Sequence, residues 1–395
     1  MVNLLITSIA FVALGILFLF TLRRILYLLT IFVSRVPSPS QVSLVPVLLL
    51  IPARNESRIL SELFVSLDSL DYPQELLQIV LIDDGSTDNT LVLMTRPAST
   101  RSNWHVFNLE KNVGKAQALN LALQAHNFGE IVYIFDADHR PQRDCLRVAI
   151  SAFADPNVAG ISGRTIPSNT LASPSAYYST IESLVHQLIT MRGKDILHLG
   201  PALLGSNNGY RRSALQRVGG FRAGAFLEDS DLTLTLHRAG YKTRFVSNAI
   251  SFHQVPFTLS GFIRQHLRWG RGFNDVARTH LFDLLRDPRL SLLMRIELAL
   301  FSLGYLDRLA LLLALALIGL PTDLRPLLIG GITVSLALPF IQIIAALMYD
   351  RVSFAMWSRL PLVIPFFFLD IAVAVSAMAI TLLNRPRQWH PTERT

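Results

Sequence analysis

Four groups of residues have types and spacings suited to chemistry. In IDDGSTDNT an apolar run ends in Asp83 and Asp84, and Gly85 permits a tight turn beside a ligand. Taken alone, the same residues are equally an ordinary exit from strand to turn. Asp136 and Asp138 are separated by a single residue at the end of IVYIFDAD. Two carboxylates so placed can share a divalent cation, which neutralises a diphosphate and stabilises it as a leaving group. The LEDSDL run supplies Glu228, Asp229 and Asp231 ahead of an amphipathic stretch. It also reads as a helix start with acidic residues near the positive end of the dipole. In QHLRW, Gln265, Arg268 and Trp269 are spaced as neighbours on a helix. A membrane-interface aromatic with its cationic neighbours would look the same.

These groups need elements to hold them. From Val47 to Ala249 short apolar runs alternate with polar, helix-like stretches, the pattern of an α/β domain with a largely parallel sheet. Strands are expected over 47–53, 79–84, 105–110 and 131–138, and the second and fourth end in the carboxylates above. Open α/β sheets bind ligands at the carboxyl ends of their strands, so both acidic groups should face one crevice.

The remaining chain is apolar. Hydrophobic residues make up 51% of the 395, and they concentrate at the two ends, which indicates membrane spans flanking a soluble unit. Residues 4–22 carry no charge and are long enough to cross a bilayer; Arg23, Arg24 and Arg35 follow, placing the next domain in the cytosol by the positive-inside rule. No positive region precedes this stretch and no small-residue cleavage site follows it, so it reads as an anchor and not a cleaved signal peptide. Further spans are expected near 302–320, 326–348 and 361–383, with residues 290–301 as an interfacial amphipathic helix carrying Arg295 and Glu297. The basic tail NRPRQWHPTERT leaves its own side of the membrane open.

The expected organisation is therefore an anchor over 1–35, a cytosolic domain over 36–285, and membrane helices with a short tail over 286–395. A net charge of +8 does not point to nucleic acid, because the basic residues are scattered or flank apolar runs and form no block with interleaved aromatics. Membrane-proximal charge and anionic ligands account for it. The single Cys145 excludes an intramolecular disulfide, and no Cys/His cluster has zinc-ligand spacing.

Taken in order, the four groups resemble the D, D, D, QxxRW signature of inverting family 2 glycosyltransferases of the processive kind. That family includes cellulose, hyaluronan, chitin-oligosaccharide and poly-N-acetylglucosamine synthases. The resemblance covers roughly residues 46–275 and the membrane architecture on both sides, and it extends to NVGKAQALN around Lys115, GSNNGYRRSAL from Gly205, and the terminal WHPTER.

It implies a GT-A type, Rossmann-like domain flanked by transmembrane helices in a cell membrane. Pro52, Ala53, Glu56, Asp83 and Asp84 would line the pocket for the uracil and ribose of a UDP-sugar. Lys115 and Asp136 would approach the nucleotide, and Asp138 would hold Mg2+ or Mn2+ against the diphosphate. Asp229 would be the base that deprotonates the acceptor hydroxyl, with Glu228 and Asp231 as the other carboxylates of that run. Gln265, Arg268 and Trp269 would contact the acceptor sugar and the diphosphate.

The implied activity is polymerisation of UDP-N-acetylglucosamine or UDP-glucose into a β-linked glycan extruded through the C-terminal helices. A single transfer to a polyprenyl phosphate or lipid is the alternative enzyme reading, and a non-catalytic membrane assembly protein the alternative outside enzymes. The chain departs from the family at FHQVP, where His253 stands in place of a frequent Glu. That residue is either a metal or phosphate neighbour or a structural histidine. Nothing resembles a cyclic-dinucleotide-binding barrel, so regulation or export of that type would need an accessory subunit.

Overall fold

The computed structural model describes residues 2–33 and 43–383. Arg35 and the WHPTER motif lie outside the described residues. Among the described residues the central element is an eight-stranded sheet, β1 (Val47–Ala53), β2 (Leu77–Asp84), β3 (Trp104–Leu109), β4 (Ile131–Ile134), β5 (Arg140–Pro141), β6 (Val158–Pro167), β7 (Asn208–Arg211) and β8 (Lys242–His253). Its order is β3-β2-β1-β4-β7-β6-β8-β5.

Period-two alternation explains how the sheet is covered. In β1 the side chains of Val47, Leu49 and Ile51 join one apolar cluster, and Leu48 and Leu50 join another on the opposite face. An N-terminal helix, α1 (Val2–Leu29), precedes the sheet. Helices α2 (Leu60–Asp68), α3 (Thr90–Ala98) and α5 (Cys145–Ile150) cover the first face, and α4 (Lys115–Ala125), α8 (Arg212–Val218) and α9 (Glu228–Arg238) the second. Both faces are dry.

Pairing is parallel from β3 through β2 and β1 to β4, as the repeating strand and helix pattern requires. It then turns antiparallel at β4/β7 and β7/β6, is parallel again at β6/β8 and antiparallel at β8/β5, so the sheet is mixed where a largely parallel one was expected. The fourth strand also stops at Ile134, and Asp136 and Asp138 sit in the turn beyond it. Because β2, β1 and β4 run in one direction, both acidic pairs still emerge on the same edge.

Two connecting helices, α6 (Pro174–Val185) and α7 (Arg192–Ile196), are joined by a π-helical turn at His186–Met191, a geometry frequent at functional sites. After the sheet come α10 (Leu259–Arg286), α11 (Leu292–Ser302), α12 (Leu306–Leu317), α13 (Arg325–Tyr349), the short α14 (Phe354–Ser358) and α15 (Val363–Leu382). Among the described residues three helical stretches can cross a membrane by length and composition, Asn3–Phe32, Arg325–Tyr349 and Leu360–Leu382, and the bent pair Leu292–Ser302 with Leu306–Leu317 passes the same test taken together.

The span expected over 302–320 takes a different form. Its helix α12 has only 12 residues, about 18 Å at 1.5 Å per residue, against an apolar bilayer core of about 30 Å. It forms a pair with α11 bent by 75°. Nor does α11 turn Glu297 outward as a purely interfacial helix would. That carboxylate is buried between Arg23 and Lys194, each 2.8 Å away.

Arg23 and Arg24 also differ from the basic flank suggested by the sequence. Helix α1 runs through them without a break, and Arg24 pairs with Asp307 on α12. These charged pairs tie the N-terminal helix to the C-terminal bundle. Ala10 and Leu17 of α1 pack there against Ala310, Leu311 and Ala314.

Candidate active site

A crevice lies at the carboxyl ends of β2, β1 and β4. Its walls are two loops stitched together. The Asn55 amide donates to Ser86 Oγ, the Thr87 amide donates to Asn55 Oδ1, and the Glu56 amide donates to Thr90 Oγ1 at 2.8 Å. Pro52 and Ala53, opposite Ile82 and Asp83 in the β1/β2 register, form the floor. Gly85 is required at the turn: its φ is +65°, and a Cβ there would meet the Asn112 nitrogen at 2.6 Å.

Asp83 and Asp84 do different things. Asp84 accepts from the amides of Val113 at 2.7 Å and Gly114 at 3.0 Å, so its charge holds the loop that leads into α4. Asp83 accepts from the Ser86 amide through one oxygen, while Oδ1 is buried with no hydrogen-bond partner. A buried carboxylate oxygen with no partner is costly unless a ligand supplies the donor.

Lys115, at the first turn of α4, is the electrostatic hub. Its Nζ lies 2.7 Å from Asp136 and 3.5 Å from Glu228, and it donates to the Gly205 carbonyl at 2.7 Å. Burial alone would lower the Lys115 pKa, but Asp136, Glu228 and Asp229 outweigh it and hold the ammonium above the usual lysine value. Gly205 is also fixed by close approach, with φ +81° and room for no Cβ, which would sit 2.9 Å from Asp229 Oδ2.

Asp229 itself lies in the first turn of α9, half-buried. Desolvation and the neighbouring Glu228 push its carboxyl up to about 7, against the opposing pull of the Ser230 amide, Lys115 and Arg268. A carboxylate poised near neutrality is suited to taking a proton. Asp231 is not: its Oδ1 accepts from Arg222 at 2.7 Å and pairs with His280 at 2.9 Å in a buried network.

Gln265, Arg268 and Trp269 share one side of α10 and are half-buried. Gln265 and Trp269 line a cavity of about 520 Å³ together with Asp229, and the cavity continues past Arg24, Asp307 and Asp370 among the apolar helices. Arg268 is near enough to Asp229 to depress its pKa. The residues singled out in the sequence thus gather around the strand-end crevice and the cavity beside it.

One site residue was passed over. His139, directly after the DAD run, joins Asp136 and Asp138 in a cluster whose ligand atoms lie within 4.8 Å of one another. It is buried, and that burial lowers its pKa to about 4, leaving a neutral imidazole with Nδ1 3.0 Å from Ser251 Oγ. The signal was its position as the next residue in the turn. His253 stacks on it at 5.2 Å with an interplanar angle of 14°, which gives the departure at FHQVP a structural place beside the acidic turn. Two carboxylates and an imidazole suit Mn2+ and accommodate Mg2+ through the oxygens.

A carboxylate crevice at the strand ends of a mixed α/β sheet, beside the half-buried Asp229 and a cavity lined by Trp269, is the arrangement of a GT-A-like fold. The chain belongs to glycosyl transferase family group 2, whose profile matches residues 131–370.

It is similar to the probable glycosyltransferase YdaM of Bacillus subtilis, 26% identical over 255 residues, with 61% of this chain and 58% of that protein covered. A poly-beta-1,6-N-acetyl-D-glucosamine synthase of Staphylococcus epidermidis is 26% identical over 247 residues, covering 62% and 58%. The chain therefore matches somewhat over half the length of these curated relatives. Its fold is similar to the mannosyltransferase PcManGT from Pyrobaculum calidifontis, solved in complex with GDP-Man and Mn2+. The TM-score is 0.62 at 21% identity, with 98% of this chain and 100% of that one covered.

Proposed function

We propose that this glycosyltransferase uses a UDP-sugar, UDP-N-acetylglucosamine or UDP-glucose, to extend a β-linked glycan at the cytosolic face of a cell membrane, with the product leaving through the membrane helices. The observation that carries the reading is the single cavity that runs from Asp229, Gln265 and Trp269 into the helical bundle. An acceptor lying there presents a hydroxyl to the base and its body to the membrane.

Asp83 Oδ1 supplies the missing acceptor for a donor on the base or ribose of the nucleotide, within the floor of Pro52, Ala53 and the Glu56 loop. Asp136, Asp138 and His139 would hold Mg2+ or Mn2+, which when bound offsets charge on the departing diphosphate. Lys115 stands beside this cluster and Arg268 beside the base, so both cations face developing negative charge. Asp229 takes the acceptor hydroxyl proton as its oxygen attacks the anomeric carbon opposite the diphosphate. The C–O bond to the phosphate breaks, and the configuration inverts. Trp269 offers a ring face for the acceptor sugar.

The membrane arrangement belongs to the same proposal: an anchor over 1–35, a cytosolic unit over 36–285 and helices over 286–395. Incubation of the purified full chain with single radiolabelled UDP-N-acetylglucosamine, UDP-glucose or GDP-mannose tests it, with product sizing. A ladder of polymer from one UDP-sugar is expected. One sugar on an extractable lipid would replace polymerisation with single transfer, and turnover of GDP-mannose alone would replace the donor.

A further inference from the structure

A second group of metal-ligating side chains lies away from the donor crevice. Glu182 on α6, His266 on α10 and Asp370 on α15 each bring a ligand atom within 4.8 Å of the others. His266 and Asp370 are buried, and Glu182 and Asp370 border the acceptor-side cavity. The three come from segments far apart in the chain, so only the folded bundle assembles them.

The protons decide what the cluster needs. His266 Nδ1 lies 2.9 Å from the Phe262 carbonyl oxygen, which can only accept, so that nitrogen carries the hydrogen. Nε2 then faces Glu182 Oε2 at 2.8 Å. In a neutral ring this sets a lone pair against a carboxylate, and a positive species must lie between them.

Asp370 adds a second demand. Its Oδ2 accepts from Arg308 Nη2 at 2.8 Å and Nε at 3.1 Å, while Oδ1 is buried without a hydrogen-bond partner. Arg308 is itself shared with Asp307. A proton on Nε2 would satisfy the histidine and Glu182 but leave Asp370 Oδ1 without a partner. A divalent ion draws on a ligand atom of each of the three side chains.

We propose that Glu182, His266 and Asp370 bind a transition-metal ion of the Zn2+ or Mn2+ class, distinct from the Asp136–Asp138–His139 cluster. One imidazole and two carboxylates are a donor set for these ions, the imidazole favouring them over Mg2+. The Phe262 carbonyl and Arg308 are the outer contacts that orient a ligating histidine and carboxylate. Three protein ligands leave a position open to the cavity. The ion fixes α10, with Gln265, Arg268 and Trp269, against α6 and the last membrane helix.

Metal binding without nucleotide tests this independently of the transferase reading. The full-length Asp138→Asn protein, dialysed against Zn2+ and analysed for metal, is expected to retain one ion per chain and to unfold at a higher temperature with Zn2+ than without. Adding Glu182→Gln or Asp370→Asn should remove both the ion and the shift. Glu182 is partly exposed, so its substitution keeps the test valid should the buried Asp370 variant fail to fold. An Asp138→Asn protein that binds no Zn2+, or one whose Zn2+ survives Glu182→Gln, overturns the proposal.

Discussion

The donor crevice and the acceptor-side cavity are built on opposite principles. Around the crevice nearly every polar group near the ligand position is tied down: Asp84 by two backbone amides, Lys115 by Asp136 and Gly205, and the Asn55 and Ser86 loops by each other. A nucleotide is an invariant ligand, and a rigid set of donors and acceptors recognises it without a reorganisation cost. The cavity instead mixes half-buried Gln265 and Trp269 with apolar helix surface. That lining suits a ligand that must move or vary, while charged pairs behind it hold the helices together.

The contrast is most severely tested at the metal cluster. Asp138→Asn, or an excess of chelator, is expected to abolish sugar transfer in a radiolabel assay, because the leaving diphosphate then carries its charge uncompensated. Full turnover in chelator would remove the cation from the chemistry.

Next in size is Asp229→Asn, which keeps the shape and removes the basicity. Turnover should fall by about 10²–10⁴-fold with UDP affinity nearly unchanged, since the donor crevice does not contain this side chain. Glu228→Gln should cost less. Near-normal transfer by the Asp229 variant would place the base elsewhere.

On the membrane side the largest effect should be on stability. Glu297→Gln leaves Arg23 and Lys194 buried without their common anion, a loss on the order of 3–5 kcal/mol. Thermal unfolding in detergent should show it as a drop of many degrees, and an unchanged midpoint would mean that water already reaches the pair. Trp269→Ala should be milder, raising KM for an oligosaccharide acceptor by about tenfold, the equivalent of roughly 1.4 kcal/mol of ring contact. Trp269→Phe should recover part of it. An equal effect on the donor KM would contradict the division of the site.

This division also marks what the sequence could reveal. The crevice was legible because its chemistry is local: carboxylates close an apolar run, and strand direction places Asp83, Asp84, Asp136 and Asp138 on one edge. The same run of residues misled at 135–138, where the turn begins before the acidic pair. The switch to antiparallel pairing was not legible, since β7 has only four residues and its partners β4 and β6 are far away in the chain.

In the bundle, periodicity located apolar helices but not their charges. Arg23 and Arg24 look like a basic flank until Glu297 and Asp307, 274 and 283 residues further along the chain, are folded against them. Glu182, His266 and Asp370 carry no spacing signal at all, because each stands on a separate helix.

The smallest expected effect is also the sharpest on Asp229. Burial and Glu228 raise its pKa from an ordinary value of 3.8 to about 7, so the protonated form is the one the fold prefers. Only the ionised form can take a proton, and turnover should fall tenfold per pH unit on the acid side of that value. For stability the sign is reversed. The contribution of a carboxyl raised in the folded state is fully present below its ordinary pKa and is lost as pH rises through the folded value. The native enzyme therefore carries at about pH 8 a charge that the fold would discard. Asp229→Asn is neutral throughout, and at about pH 8 its thermal midpoint should exceed that of the parent, by roughly 2–4 °C for each kcal/mol recovered. The gap should narrow as pH falls toward 5, where the parent becomes protonated. An Asp229→Asn protein less stable than the parent by the same margin at every pH would show that Lys115 needs the carboxylate more than burial opposes it.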